Sequence, residues 1–450
     1  MRFDQTVPHE RRFVYDWHAR PGAVRRLTAP FAAEVVAEPD VGVTPGGRTR
    51  LRVRHLPPPA ARWTTEYTAV VPGEEYTARM VSGPMRRWEH RRMFEDLGGT
   101  TRVRDEIEFW LPRRSPEFAS RAVMSTVARF VGYRHAQLLD DLQFAATHNG
   151  GPRRIAVSGS RGLIGTQLTA LLSTLGHEVV PIVRSADRVP GAVALDVAGA
   201  RADTSALEGV DVVVHLAGAP IAGWFTPGHK KRVADSRIGP TRALARAAAE
   251  AGVPTFVSAS AIGFYGATPP GIVTEDSPAG QDYLARVCAQ WEDATLPARE
   301  AGARVAMVRT GIVLTPAGGA LAQQLPLFRV GAGGPLAGGA AWQSWISVDD
   351  AVGIFAHAAL SPGVSGPINA VAPGPVTSGE FARELGHIMS RPSAIPIPIA
   401  GPAVRLGPEG ARLLASASQQ VSAAKASATG YEFRHPTLGV ALRHLLGQAA

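Results

Sequence analysis

The chain has 450 residues, 45% of them hydrophobic and 19% charged, with 48 glycines, 36 prolines and a single cysteine. At roughly 100 to 200 residues per domain this is enough for two or three compact units, each burying a real core. The composition excludes collagen-like, disulfide-scaffold and highly charged disordered classes. A formal charge of +9 invites a nucleic-acid reading, but all but three of the 47 basic residues are arginines, the exceptions being Lys230, Lys231 and Lys425. Acidic residues accompany them throughout: 23 basic against 18 acidic through Leu142, and 24 against 20 beyond it. An arginine bias without clustering does not make a phosphate-tracking surface, so no nucleic-acid partner is expected.

Cys288 has no second cysteine to pair with, which suits a reducing compartment. The first thirty residues mix Asp4, Glu10 and several arginines with no apolar run of the secretory type, and no apolar stretch reaches the roughly 18 residues of a membrane helix. A cytoplasmic protein without a membrane partner is expected. The 13 histidines show no His-x-x-x-His spacing with a third partner, so no metal is expected.

In chain order, strand-like runs occupy residues 62 to 71, 75 to 81, 85 to 94 and 101 to 111, separated by turn signals such as Pro72-Gly73 and Gly98-Gly99. In the last run Val103, Asp105, Ile107 and Phe109 share one face and Arg102, Arg104, Glu106 and Glu108 the other, the alternation of a half-buried antiparallel strand. The period turns helical over residues 117 to 144. Strands closed by one long helix predict an α+β unit over residues 1 to 146. The polar, turn-rich residues 147 to 153 predict a linker.

From residue 154 the pattern alternates. Strands are predicted at 155 to 157, 178 to 183, 210 to 215 and 255 to 258, and helices at 163 to 175 and 238 to 251. Alternating strands and helices predict a doubly wound parallel sheet, an α/β unit of residues 154 to 391. Pro392-Ser393-Ala394-Ile395-Pro396-Ile397-Pro398 cannot be a central strand and opens a small C-terminal domain of residues 392 to 447.

The most informative stretch is Ile155-Ala156-Val157-Ser158-Gly159-Ser160-Arg161-Gly162-Leu163-Ile164-Gly165. It reads as a strand, a Gly-x-x-Gly-x-x-Gly turn and the start of a helix. Gly159 allows the tight turn, Gly162 lets the backbone approach a pyrophosphate, and Gly165 lets the helix pack close to the sheet. The helix N-terminus offers its free amides to the phosphates. With strand and helix on the correct sides, the pattern predicts a dinucleotide site formed by residues 159 to 165. At the end of the second strand, Val183-Arg184-Ser185 offers a guanidinium for a 2′-phosphate in place of a carboxylate for a ribose. NADP is therefore expected over NAD. In Leu195-Asp196-Val197 the carboxylate is placed either to meet the adenine amino group or as an ordinary turn residue.

These motifs, together with Val213 to Ala219 (containing Leu216, Ala217 and Gly218), Ser258-Ala259-Ser260-Ala261-Ile262-Gly263-Phe264-Tyr265-Gly266, Val308-Arg309-Thr310-Gly311 and Ser344-Trp345-Ile346-Ser347-Val348-Asp349-Asp350, resemble an extended short-chain dehydrogenase/reductase. Asp235-Ser236-Arg237-Ile238, Trp291-Glu292 and Gly430-Tyr431-Glu432-Phe433 resemble its atypical NAD-dependent epimerase/dehydratase-like branch, which ends in a small domain of unknown function. The resemblance implies a Rossmann fold, a small-molecule substrate, and cofactor contacts from Leu216, Ala217, Gly218, Ser258, Arg309 and Thr310.

The wider superfamily uses a Tyr-x-x-x-Lys pair for proton transfer. None of the seven tyrosines here is followed four residues later by a lysine. With Trp291-Glu292 fixing the register, Leu284 and Cys288 stand at the pair's positions, and the branch is similar in lacking it. Ser260 and Tyr265 are the candidate catalytic hydroxyls, each with a packing or strand-end role as its alternative. Cys288 is a nucleophile only if its thiolate is stabilised, and otherwise a small buried apolar residue. His229-Lys230-Lys231-Arg232 is read either as a solvated helix face or as a site for an acidic ligand. Two functions remain open: an NADP-dependent oxidoreductase or epimerase, and a non-catalytic NADP-binding sensor or scaffold.

Residues 1 to 146 resemble the polyketide cyclase/START-like superfamily, carried by Asp16-Trp17-His18-Ala19-Arg20-Pro21-Gly22-Ala23 and Gly83-Pro84-Met85-Arg86-Arg87-Trp88-Glu89-His90. That resemblance implies a helix-grip fold with an apolar ligand. Trp88, Trp110 and Asp105 either line its cavity or, for the tryptophans, fill the core and, for Asp105, pair with an arginine.

Overall fold

The structure, a computed structural model, describes residues 1–448 except 55, 57–60, 114, 185–191 and 197–200. The chain divides into two compact units, Met1–Gly151 with Ala170–His177 and Arg443–Ala450, and Pro152–Thr169 with Glu178–Leu442.

The first unit is built on a seven-stranded antiparallel sheet: β1 (Arg2–Val7), β2 (Ala33–Ala37), β3 (Arg48–Val53), β4 (Arg62–Val71), β5 (Glu75–Ser82), β6 (Arg87–Asp96) and β7 (Thr101–Trp110), in the order β1-β7-β6-β5-β4-β3-β2. Two helices, α1 (Arg11–Ala19) and α2 (Ala23–Arg26), separate β1 from β2, and the 31-residue α3 (Glu117–Thr147) follows β7. The expected alternation holds in β7, where Val103, Asp105 and Ile107 are buried. Val14 and Trp17 of α1 and Leu138 and Leu142 of α3 close on Val7, Phe94 and Val103 to make the core. Each such side chain contributes about 1.5–3 kcal/mol when fully buried. β1, β2, β3, α1 and α2 escaped the periodicity reading, because short charged strands such as β3, with arginines at alternate positions, carry no apolar face of their own.

The second unit carries an eight-stranded sheet. In chain order come β8 (Arg154–Ser158), α4 (Leu163–Thr174), β9 (Glu178–Val183), β10 (Val193–Asp196), β11 (Arg201–Ala202), β12 (Val212–His215), α5 (Pro227–Asp235), α6 (Ile238–Glu250), β13 (Thr255–Ala261), β14 (Ile272–Val273), α7 (Tyr283–Asp293), α8 (Leu296–Glu300), β15 (Arg304–Thr310), β16 (Ile312–Leu314), α9 (Gly319–Arg329), β17 (Trp342–Gln343), β18 (Trp345–Ser347), α10 (Val348–Leu360) and β19 (Gly366–Ala370). The sheet order is β11-β10-β9-β8-β12-β13-β15-β19, parallel throughout except at the β11 edge. α10 is buried at every position, including Asp349, Asp350 and His357; Asp350 is satisfied there by the Tyr431 hydroxyl and the backbone N–H groups of Arg434 and His435.

One feature of this order positions the site. From β8 the chain moves outward to β9 and β10, then returns to the other side of β8 at β12. The strand order therefore reverses between β8 and β12, and above the carboxyl ends of two such strands an α/β sheet opens a crevice. Toward the C-terminus, residues 392–398 contribute only the bridge Leu336↔Ile397. The helical stretch Ala400–Gly410 is broken at Gly407, whose φ of +71° is non-helical.

Candidate functional site

Ser158, the last residue of β8, organises the floor of the crevice. Its hydroxyl oxygen accepts from the backbone N–H groups of Leu216 (3.0 Å) and Ala217 (3.2 Å) and lies 2.7 Å from Nδ1 of His215, the last residue of β12. With both acceptor positions taken, the serine proton goes to Nδ1. Burial, with the nearby Arg237 charge, pushes His215 down to about 4, so the ring is neutral.

The three glycines meet three separate demands. Gly159 turns the chain with φ +68°, and a Cβ there would stand 3.0 Å from the Ala217 nitrogen. A Cβ on Gly165 would lie 2.1 Å from the Gly159 carbonyl oxygen, so only glycine permits this approach of helix to turn. At Gly162 the sole neighbour of an added Cβ is that same oxygen at 3.2 Å. Gly162 and Leu163 are exposed at the start of α4, leaving the free amides of its first turn facing outward. Ser160 and Ile164 are half-buried and Arg161 is exposed. The backbone thus fits a pyrophosphate: a tight turn, an open face at the second glycine and an amide-rich helix end.

Arg184, immediately after β9, and Asp196, ending β10, are both exposed at the carboxyl edge of the sheet. Ser185 and Val197, which flank them, lie outside the described residues. On the other side of the crevice, the loop of Leu216, Ala217 and Gly218 is held from beneath by Arg237. Its guanidinium donates to the carbonyls of Val233 (3.0 Å) and Ala219 (2.9 Å), would stand 3.1 Å from a Cβ on Gly218, and lies 5.1 Å from the Trp291 ring. Two of the motifs that carried the family resemblance therefore touch each other.

The remaining predicted residues converge on one buried polar network. Ser260 donates to Glu292 Oε1 at 2.6 Å. Arg309 grips the same carboxylate with Nε and Nη2, both at 2.8 Å, and donates from Nη1 to the Tyr265 hydroxyl (3.0 Å) and the Glu275 carbonyl (3.2 Å). Tyr265 donates to Asn369 Oδ1 at 2.7 Å, and Phe264 lies flat beneath Arg309 with the guanidinium carbon 3.5 Å from its centroid. Burial works against the Arg309 charge, but the hydrogen bonds and charge of Glu292 outweigh it and hold the guanidinium above its ordinary pKa. Ser258 is buried and donates to the Ala259 carbonyl, and Thr310 donates to that of Val308. Ser260 and Tyr265 are each 3% exposed with their protons already held.

Leu284 and Cys288 line one face of α7, buried. Burial, reinforced by the Glu292 charge, pushes the Cys288 thiol up to about 12, which leaves a small apolar residue in place of a nucleophile. In the basic cluster, Lys230 pairs with Glu409 and Lys231 with Asp235, while Arg232 and His229 line a 440 Å³ surface cleft with Trp224 and Ala219. In the first unit Asp105 pairs with Arg92, one of the two roles open to it, and Trp110 is 54% exposed. Sequence reading missed the parts played by Ser158, His215, Arg237, Glu275 and Asn369. For Ser158, His215 and Asn369 the available signal was a polar residue inside an otherwise apolar strand; Arg237 and Glu275 stand in turns, where that signal is missing.

A parallel sheet with a glycine cradle at its switch point defines a nucleotide-cofactor-binding protein of the Rossmann type. The profile of the NAD dependent epimerase/dehydratase family matches residues 155–370, and profiles of two domains of unknown function, DUF1731 and DUF8410, match residues 397–445 and 26–142. The chain is 41% identical over 289 residues to an epimerase family protein of Mycobacterium bovis, covering 64% of this chain and 96% of that protein. It is 36% identical over 301 residues to the human epimerase family protein SDR39U1, covering 65% and 99%. Among solved structures it resembles the nucleoside-diphosphate sugar epimerase of Corynebacterium glutamicum (TM-score 0.81, 35% identity, 99% of this chain and 90% of that one). It also resembles human SDR39U1 with NADPH (TM-score 0.60, 32% identity, 65% and 99%). This chain belongs to the NAD dependent epimerase/dehydratase family.

Proposed function

We propose that the second unit binds NADP in preference to NAD and acts as an oxidoreductase or epimerase on a small-molecule substrate. The observation that carries this reading is the cradle itself, with its open second glycine, exposed helix amides and an arginine at the end of β9. Residues 159 to 165 would hold the pyrophosphate, Arg184 the 2′-phosphate, Asp196 the adenine amino group, and Leu216, Ala217, Gly218, Ser258, Arg309 and Thr310 the nicotinamide half. Bound there, the cofactor supplies hydride transfer. The relative crystallised with NADPH and the relative described as a nucleoside-diphosphate sugar epimerase support the cofactor and substrate class.

Ser260 and Tyr265 are positioning residues in this reading. Glu292 Oε1 and Asn369 Oδ1 hold their protons, and the proton that a Tyr-Lys pair would deliver has no donor at Leu284 or Cys288. This favours a second reading, a sensor or scaffold whose partner binding follows NADP without turnover.

Calorimetry with NADPH and NADH, then nicotinamide absorbance against carbonyl and nucleotide-sugar panels, separates these readings. NADPH is expected to bind at least tenfold more tightly than NADH, and Arg184→Glu to abolish the difference. Equal binding by the unaltered protein removes the NADP assignment, and Gly162→Asp with full affinity removes the cradle. Tight NADPH binding without turnover on any panel selects the sensor.

For the first unit, the antiparallel strand order and the long closing helix support a helix-grip, START-like reading with a small-molecule ligand between sheet and helix. We also treat residues 392–447 as a discrete small domain, supported by the DUF1731 match at 397–445. Among the described residues no helix is long and apolar enough to cross a membrane. The cytoplasmic location we propose rests on the unpaired cysteine, although one plant relative is named as chloroplastic.

A further inference from the structure

The basic run on α5 has one member without a charge partner. Lys230 is held by Glu409 and Lys231 by Asp235, with nitrogen–oxygen distances of 2.8 and 2.6 Å. Arg232 is exposed, and its one hydrogen bond among the described residues runs from Nη2 to His229 Nδ1 at 3.4 Å. The other ring nitrogen of His229 donates to the Ile221 carbonyl at 2.9 Å, which fixes the tautomer and leaves Nδ1 as the acceptor.

A second cation stands behind the same face. Arg237 is 7% exposed and donates to the carbonyls of Val233 and Ala219 and to the Ser236 hydroxyl. Among the described residues no carboxylate lies within ion-pair distance of either arginine, since the neighbouring acids Asp235 and Glu409 are committed to the two lysines. Two guanidinium charges without an acid between them favour an anion.

A cavity lies where that anion would sit. Ala219, Val233, His229 and Arg232 border a cleft of 440 Å³, a volume inside the usual range of about 300–1,000 Å³ for small-ligand sites. Its aromatic wall is Trp224, 57% exposed. The indole Nε1 donates to the Val404 carbonyl at 2.9 Å, and the ring backs onto Gly407, where an added Cβ would stand 3.4 Å from it. An indole held in this way and still open to the cleft is a stacking surface.

The remaining polar groups of the cleft are few. Thr226 Oγ1 accepts from the His229 amide at 3.2 Å, both His229 ring nitrogens are engaged, and no carboxylate or carboxamide side chain lines the wall. A sugar would leave most of its hydroxyls without partners there. A flat apolar ring with a single charged group would meet the indole and the guanidinium together. The cleft begins at Ala219, directly after the Gly218 that the cofactor reading gives to the nicotinamide half.

We propose that this cleft is the substrate subsite and takes a small aromatic acid, its carboxylate on Arg232 and its ring on the Trp224 indole. That the occupant is the substrate rests on the cofactor reading of the adjoining crevice; that the cleft holds an aromatic acid does not.

The test is calorimetry on the full chain at neutral pH, with and without saturating NADPH, using 2-naphthoate, its uncharged analogue 2-naphthamide, and the non-planar acid cyclohexanecarboxylate. 2-Naphthoate is expected to bind saturably in both conditions, and the other two at least fivefold more weakly. Arg232→Gln should weaken 2-naphthoate at least tenfold with NADPH affinity unchanged, Arg232→Lys should recover part of that loss, and Trp224→Leu should bring 2-naphthoate down to the cyclohexanecarboxylate level. No saturable binding of 2-naphthoate, unchanged affinity in Arg232→Gln, displacement of 2-naphthoate by NADPH, or tighter binding of UDP-glucose than of 2-naphthoate would each overturn the proposal. Failure of NADPH to bind, with 2-naphthoate still held through Arg232, would remove the cofactor reading and leave the aromatic-acid site standing.

Discussion

Glu292 of α7 and Arg309 of β15 face each other through two parallel hydrogen bonds of 2.8 Å, with only 10% and 4% of their side chains exposed. Seventeen residues apart in sequence, they join the helix that normally carries the proton-transfer pair to the strand that borders the crevice. Ser260 and Tyr265 attach to opposite ends of this fork.

The fork sets a stability prediction. Arg309→Met leaves a buried carboxylate without its counter-ion, a loss of about 3–5 kcal/mol, to be read from the calorimetric transition of the second unit. The double variant Glu292→Met with Arg309→Met should lose less than the sum of the single changes, since no charge is stranded. Additive losses would show that the two side chains do not act as a pair.

At the cradle, Gly165→Ala drives a methyl group to 2.1 Å from the Gly159 carbonyl oxygen. Relief requires the turn to shift, with a cost of about 1–3 kcal/mol and at least a tenfold loss of NADPH affinity. Titration calorimetry and thermal unfolding of the same variant give both numbers. An alanine variant with unchanged affinity would mean that the turn yields without disturbing the phosphate site.

Cys288 should be chemically silent. With its thiol pushed up to about 12 by burial and Glu292, the thiolate fraction at pH 8 is on the order of one in ten thousand. A disulfide-exchange reagent should label the native protein negligibly over an hour and release one equivalent once the chain is unfolded. Rapid native labelling would restore Cys288 as a candidate nucleophile.

His215 makes the second unit acid-sensitive. Its pKa falls from an ordinary value near 6.5 to about 4 on folding, because burial and the Arg237 charge disfavour the imidazolium. Between those pH values the unfolded chain holds more protons than the folded one. The contribution to stability is therefore complete above pH 6.5 and is lost as pH drops toward 4, at up to about 1.4 kcal/mol per pH unit. His215→Asn, which does not titrate, should show a shallower fall of melting temperature over that window; identical slopes would remove His215 as the cause.

Much of the second unit was legible in its sequence. The glycines at 159, 162 and 165 each meet a local steric demand that a residue identity can announce, and the strands around them are short apolar runs. The first unit was legible only in its longer strands and closing helix, because β2 and β3 owe their place to pairing with neighbours rather than to an apolar pattern. At the site, the motifs around Arg237, Trp291, Ser260 and Arg309 were visible as motifs, but their contacts with one another were not.

The sequence by itself determined the strand-glycine-helix cradle, the arginine at the end of β9 and the missing tyrosine-lysine pair, since each is a property of residue type at a fixed local spacing. Only the tertiary structure decided what the buried polar residues do. Whether Ser260 faces a substrate or Glu292, and whether Asp105 or Arg237 finds a partner, depends on side chains brought together from distant strands and helices. In a low-dielectric interior the nearest opposite charge or acceptor claims each proton, and chain order does not say which one that is.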